Sequence, residues 1–297
     1  MSAEKLKLPS YGGQALIEGV LMRGSGYVAA AFRKPGGEIE IKSEKLEGIY
    51  HSSIAKIAFL RGLIMLWDAL VLGTQYLTLS ANFQTGEDEK IEGPAFVLTM
   101  LVSVGIAIAV FFLAPAAVAS WIGTWLHWQS IFSNLFEGLI RLALLIAYLY
   151  LIGRMPDIAR VFAYHGAEHK TINAFEAGVP LTPGEVKKCS LYHPRCGTGF
   201  LLIVVVISVL VYSLLGKPSL LLLLLSRLAL LPVIIMLAYE YMRWTSNHLD
   251  VPVVRVLAWP NMALQRLTTR PPDEAVIEVA INAFNAMYAL EKPVIPL

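Results

Sequence analysis

The chain has 297 residues, 56% of them hydrophobic and 15% charged, with a formal net charge of +2. A mean hydropathy of +0.61 is too high for an ordinary soluble domain and predicts an integral membrane protein whose main partner is the lipid bilayer. The charge is small and its basic residues are scattered, which speaks against a nucleic-acid partner.

Residues 1–10 are polar and no apolar h-region follows the first lysines, so no cleavable secretory signal is expected and the N-terminus is retained. Short apolar runs at residues 15–22, 27–32 and 38–41 alternate with glycine breaks, predicting two or three short antiparallel strands in a hairpin-like, β-rich cytoplasmic portion over residues 1–53. Glu-Ile-Glu-Ile-Lys is the clearest period-two strand. In the glycine-punctuated stretch 12–24, Gln14, Glu18 and Arg23 are either surface strand positions or parts of a site, and the composition favours surface.

Residues 54–83 are apolar but interrupted by Arg61, Asp68, Gln75, Thr78, Ser80 and Asn82. They read as an amphipathic interfacial helix, with a linker completing residues 54–92. From 93 to 136 there is no Asp, Glu, Lys or Arg, which predicts a first span near 95–118 and a headgroup-level turn carrying Trp121, Trp125 and Trp128. A second span covers about 132–152, so that residues 93–153 hold the first pair. Within 199–243, Phe200 opens a third span to about residue 215, Gly216-Lys217-Pro218 turns it, and 220–239 forms the fourth. Glu137 and Arg141, spaced i, i+4, and Arg227 lie within a few turns of predicted span ends, where snorkelling or mutual pairing makes a structural role the better expectation. Residues 244–297 include an amphipathic helix at 272–290, with Val276, Val279, Ala283, Phe284 and Met287 on one side, expected to dock on the cytoplasmic face; His248 is too isolated to act as a ligand.

Lysine and arginine placement sets the expected sidedness. The connection between the first two spans has none, whereas the loop over 154–198 holds Arg154, Arg160, Lys170, Lys187, Lys188 and Arg195. That loop is predicted to be cytoplasmic, with both termini on the same side of a four-span bundle. Its two cysteines, Cys189 and Cys196, then stay reduced and read as thiolate ligands or packing rather than a disulfide.

The same loop carries the chemistry. His165, Glu168 and His169 stand at i, i+3 and i+4 on a helix-length segment, so one divalent ion of zinc type can bridge both imidazoles while the glutamate acts on water. A chain this poor in histidine shows that pattern by accident ~1% of the time, so the context must confirm it. Gly178-Val-Pro ends the helix, and Thr182-Pro-Gly-Glu185 has the form of a capping box with proline at N1, starting a short helix that returns Cys189 and His193 towards the histidine pair. Cys189, His193 and Cys196 are the candidates for the remaining coordination, with Glu240 as an outsider. Glu176 is two turns from His169, roughly 10 Å at 1.5 Å per residue, which places it beside rather than on the same ion.

Three blocks, Gly-Gly-Gln-Ala-Leu-Ile-Glu-Gly-Val-Leu-Met-Arg-Gly, Tyr-His-Gly-Ala-Glu-His-Lys and His-Pro-Arg-Cys-Gly-Thr, resemble in order those of the bacterial YqhQ-like membrane proteins, a family of unknown function, over nearly the whole chain. That family's usual label, predicted metal-dependent enzyme, implies roles for His165, Glu168, His169, His193 and Cys196, with Gln14, Glu18 and Arg23 as a second marked region. The expected protein is mainly α, a membrane bundle of about four spans. Its zinc-type site would catalyse hydrolysis or group transfer at the cytoplasmic leaflet, with His165 and His169 as ligands and Glu168 as general base. The alternatives are a scaffold with a structural metal, or an ion or small-molecule transporter using Glu137, Arg141 and Glu240. Substrate, metal identity and self-association are left open by the sequence.

Overall fold

The computed structural model describes residues 11–52, 54, 57–85, 93–216 and 219–291; the polar first ten residues and the Lys217-Pro218 part of the predicted turn lie outside these. The N-terminal strands form one antiparallel meander in the order β1 (Gly12–Leu16), β2 (Gly19–Arg23), β3 (Tyr27–Arg33) and β4 (Ile39–Lys45), four strands where the spacing led us to expect two or three. Both faces of the sheet are covered, which explains why β2 and β3 read as nearly continuous apolar runs. On β3, Val28, Ala30 and Phe32 face α1 (Leu60–Thr85) with its Leu72 and Tyr76, while Ala29 and Ala31 face the opposite layer. The Glu-Ile-Glu-Ile-Lys strand is the charged, mostly exposed edge, a composition that discourages pairing with another chain.

That opposite layer consists of α5 (Pro156–Glu176) and α11 (Glu274–Glu291). Helix α11 therefore does not simply lie on the outside of a bundle: Val276, Val279, Ala283, Phe284 and Met287 are all buried against the sheet and α5. Its last residue, Glu291, accepts the backbone N–H groups of Gly26 and Tyr27 in the β2–β3 turn, at 2.6 and 3.1 Å.

The apolar helices follow: α2 (Pro94–Ile108) and α3 (Ala114–Trp125), joined by a π turn at Ala109–Leu113; α4 (Ser130–Ile152); α7 (Gly197–Ser213); α8 (Leu220–Ala229); and α9 (Leu231–Asn247). Among the described residues, Leu60–Gln84, Phe96–Trp125 and Ser130–Ile152 are long and apolar enough to cross a membrane, and α8 with α9, bent by 44°, would make a fourth as one unit. The π turn has a local cause. Pro115 has no N–H to offer the Phe111 carbonyl, and that carbonyl accepts Arg141 Nε instead, at 2.9 Å.

Glu137, Arg141 and Arg227 do not snorkel. Arg141 and Arg227 are each 1% exposed and Glu137 is 2% exposed, and both guanidinium groups donate to the one carboxylate at 2.5–3.0 Å. The polar interruptions of α1 are likewise contact points. Arg61 pairs with Glu240 on α9, Asp68 takes Arg23 at 2.7 Å, and Ser80 Oγ accepts the Ile17 N–H.

Two helices complete the chain: α6 (Pro183–Val186), a single turn, and α10 (Pro252–Thr268). Thr182 is the N-cap of α6 and Pro183 opens its first turn, as the sequence suggests. Its side chain makes no capping hydrogen bond, however, and Glu185 pairs with Lys188 instead of closing the box. Helix α10 crosses the end of the bundle, where Leu264 and Leu267 pack with Leu145 and Leu149 of α4 and Leu202 and Val205 of α7. Contact with α7 is close enough that Asn261 fills the space a Cβ at Gly199 would need.

Candidate metal centre

Helix α5 presents His165, Glu168 and His169 on one face, as their spacing requires. The loop after α6 is then fastened to that helix through its carbonyls. Lys170 Nζ donates to the carbonyls of Lys187 and Cys189, Asn173 Nδ2 to those of Ser190 and Tyr192, and His169 Nδ1 lies 2.8 Å from the Leu191 carbonyl. From the other side α10 holds the next residues. Gln265 makes a two-point contact with the His193 backbone, at 3.0 and 2.8 Å, and Asn261 Nδ2 reaches the Pro194 carbonyl. The loop is thus ordered by side chains from two helices, and it delivers Cys196, the N-cap of α7, to the histidine pair.

The Cys196 Sγ stands 3.3 Å from His165 Nε2, and one donor atom each from His165, His169 and Cys196 fall within 4.8 Å of one another. Tetrahedral coordination by two imidazoles and a thiolate puts donors roughly 3.4–3.6 Å apart. Both imidazoles are held in the same way. His165 Nδ1 is 2.8 Å from the Thr268 carbonyl and His169 Nδ1 is 2.8 Å from the Leu191 carbonyl; a carbonyl only accepts, so each Nδ1 carries the proton and each Nε2 keeps a free lone pair. His169 Nε2 is buried without a hydrogen-bond partner among the described residues, a costly state unless something else engages it. Thr198 Oγ1 contacts the Cys196 thiol at 3.0 Å and the Thr268 hydroxyl at 3.1 Å, closing the ring of supports between α7 and α10.

Glu168 Oε2 lies 3.9 Å from both His165 Nε2 and His169 Nε2. Burial pushes its carboxyl up to about 7, against the opposing influence of His165 and a hydrogen bond from the Gly13 N–H. A divalent cation at the imidazoles would draw that value down again. The covering strand explains one glycine of the first block: a Cβ at Gly13 would come within 2.8 Å of Glu168 Cγ, so β1 can lie over the carboxylate only because residue 13 has no side chain.

The remaining predicted residues take other places. His193 is buried 3.5 Å from Glu176 Oε2 rather than turned into the cluster, its imidazole pKa lowered by desolvation. Burial would raise the Glu176 carboxyl, but His193 and Arg195 outweigh it and hold that carboxyl below its ordinary value. Cys189 Sγ sits 3.7 Å from the Glu185 carbonyl, half-buried at the edge of the sheet core, and Glu240 belongs to the Arg61 pair. Gln14, Glu18 and Arg23 are not free surface positions. Gln14 contacts the Gly73 carbonyl, Arg23 pairs with Asp68, and Glu18, at a left-handed φ of 50°, receives Arg160 and the Tyr164 hydroxyl from α5. These three residues bolt the sheet to α1 and to the helix that carries the histidines.

Sequence reasoning missed Thr198, Asn261, Gln265 and Thr268. The last three stand at i, i+4 and i+7 in a segment otherwise rich in apolar residues, a polar stripe that the helical period exposes.

Residues 57–290 match a family described as protein of unknown function (DUF1385). The chain is 34% identical over 305 aligned residues to "Uncharacterized protein YqhQ" of Bacillus subtilis (strain 168), an alignment covering 98% of this chain and 96% of that protein. No solved structure matches.

Proposed function

We propose, for a chain that belongs to the DUF1385 family and is YqhQ-like over nearly its whole length, a metal-dependent membrane enzyme of hydrolytic or group-transfer type acting at the cytoplasmic leaflet. The observation that carries the reading is the convergence of two Nε2 atoms, each fixed through Nδ1 on a backbone carbonyl, upon one thiol, with a carboxylate 3.9 Å from both. His165, His169 and Cys196 would hold a zinc-type ion, and three protein ligands leave a coordination position open. Such an ion supplies Lewis acidity and lowers the pKa of water from 15.7 to about 7. Glu168 is positioned to take the proton from the attacking water and pass it to the leaving group. Thr268, Leu191 and Gln265 orient the imidazoles and the loop. Gly13 and β1 shield the carboxylate from bulk solvent.

A thiol nucleophile is the competing chemistry, because Cys196 caps α7 beside a histidine that a third group orients. It leaves His169 Nε2 buried and unengaged, whereas one ion accounts for all three donors. Metal analysis of the purified protein tests the choice. One equivalent of divalent ion is expected in the wild type and in Cys189→Ser, with substoichiometric metal in His165→Ala, His169→Ala and Cys196→Ser. Full metal in His169→Ala would remove the reading.

The bundle reading that accompanies this is four crossings: α2 with α3, α4, α7, and α8 with α9. Helix α1, although long and apolar enough to cross, is left out because Leu72 and Tyr76 are committed to the sheet, and the shorter apolar α7 is taken in its place. The basic loop of 154–198 and both termini then face the cytoplasm. In intact cells a cysteine introduced at Trp125, which is 75% exposed, is expected to react with an impermeant maleimide, and one at Lys187 to react only after lysis. Labelling of Lys187→Cys from outside would invert the topology and move the cluster to the other face.

A further inference from the structure

Helix α10 has three faces. At about 100° per residue, Val254, Ala258, Asn261, Gln265 and Thr268 fall in an arc of about 80°, and this is the buried face that supports the metal centre. A second arc, of about 100°, carries Val253, Val256, Leu257 and Pro260, followed by Leu264 and Leu267. Arg255 and Arg266 share a third direction, with Trp259 between them and the apolar arc.

The apolar arc is continuous, but its two ends have different surroundings. Leu264 and Leu267 rest on α4 and α7 beside Leu149 and Val205, at the end of the bundle. Val253 and Val256, about two to four turns earlier, are 68% and 71% exposed, and Trp259 is 61% exposed. The first half of the helix is held by its neighbouring face, with Val254 and Ala258 buried and the Leu257 carbonyl accepting the Tyr241 hydroxyl of α9 at 3.3 Å, so Val253, Val256 and Leu257 stay uncovered and continue the surface on which Leu264 and Leu267 are seated.

We propose that α10 is an in-plane helix seated on an anionic leaflet, with Val253, Val256 and Leu257 in the acyl boundary and Arg255 and Arg266 on lipid phosphates. The inference rests on the reading that α4 and α7 cross the membrane, and not on the metal. Two features select lipid over another protein chain. Arginines to one side of an apolar arc, with tryptophan between, match the layering of acyl chains, interface and phosphate. Continuity with Leu264 and Leu267, which rest on α4 and α7, sets the uncovered arc beside the spans, where that reading puts lipid. Each arginine facing an anionic surface adds favourable electrostatics that a zwitterionic one does not supply. The face beside the apolar arc holds the Gln265 and Thr268 contacts, so in this reading the metal centre would stand close to the headgroup layer.

The test uses the full chain in a Cys189→Ser background, reconstituted in nanodiscs of phosphatidylcholine with or without phosphatidylglycerol. Single nitroxides are placed through Val253→Cys, Val256→Cys, Leu257→Cys, Arg255→Cys and Arg266→Cys, with Leu139→Cys on α4 as a membrane control. Power saturation is expected to show oxygen favoured over a water-soluble nickel chelate at the three apolar positions and the reverse at the two arginines. Phosphatidylglycerol should deepen the residue-256 label, and Arg255→Gln with Arg266→Gln should abolish that increment. Free access of the chelate to positions 253 and 256, with Leu139 in lipid, overturns the proposal while leaving the bundle reading intact. Chelate access at Leu139 overturns the bundle reading as well. Low collision rates with both reagents at 253 and 256 show that protein covers the arc, which equally overturns it. Indifference of residue 256 to phosphatidylglycerol overturns the choice of an anionic partner.

Discussion

Glu168→Gln is expected to bind metal at wild-type stoichiometry, fold normally and fail to complement a strain lacking the chromosomal copy. Glutamine keeps the size of the side chain and can still accept the Gly13 N–H, so the packing of β1 over residue 168 should persist. The two histidines keep their carbonyl supports and Cys196 its contact with the Thr198 hydroxyl, none of which involves residue 168. What disappears is a base 3.9 Å from both Nε2 atoms, a loss typically worth about 10²- to 10⁴-fold in rate. His165→Ala and His169→Ala should lose function together with metal. Were Glu168→Gln to complement as well as wild type while those two variants fail, the ion would be a structural staple and the protein a scaffold.

How far the site could be read from the chain depends on the range of the interactions that build it. His165, Glu168 and His169 are legible because helical periodicity is local: four residues fix which side chains share a face. The third donor is not legible in the same way. Cys189, His193 and Cys196 all follow on the returning loop, and the choice among them is made by α5 and α10. Lys170 and Asn173 fix the loop carbonyls, Gln265 clamps the His193 backbone, and the imidazole of His193 is left facing Glu176 while Cys196 completes the cluster.

The fold divides similarly. The long apolar helices and the charged edge strand follow from composition and period. That residues 274–291 would be buried against a sheet formed 250 residues earlier does not, since an amphipathic face says that something covers it without saying what. Gly13 and Gly199 look like ordinary glycines until the carboxylate of Glu168 and the amide of Asn261 are seen in the space their side chains would take.

The second large effect is expected inside the bundle, outside the candidate metal centre. Glu137 accepts Arg141 at 2.7 Å and Arg227 at 3.0 and 2.5 Å, and Asn134, Ser208 and the Phe111 carbonyl take further guanidinium N–H groups. Tyr212 lies under the second arginine, its ring centroid 4.0 Å from the guanidinium carbon. Removing the carboxylate by Glu137→Gln leaves two buried cations without their counter-ion, a change that in buried pairs costs about 3–5 kcal/mol. The thermal midpoint of the purified protein should therefore fall steeply.

Replacing all three charges by methionine removes the desolvation cost along with the attraction, so Glu137→Met, Arg141→Met and Arg227→Met together should fold better than Glu137→Gln alone. If the cluster only holds α4, α7 and α8 together, that neutral variant also complements. A neutral variant that is well folded and metal-loaded yet inactive would show that the charges act on something passing through the bundle, and the transporter reading would then displace the enzyme.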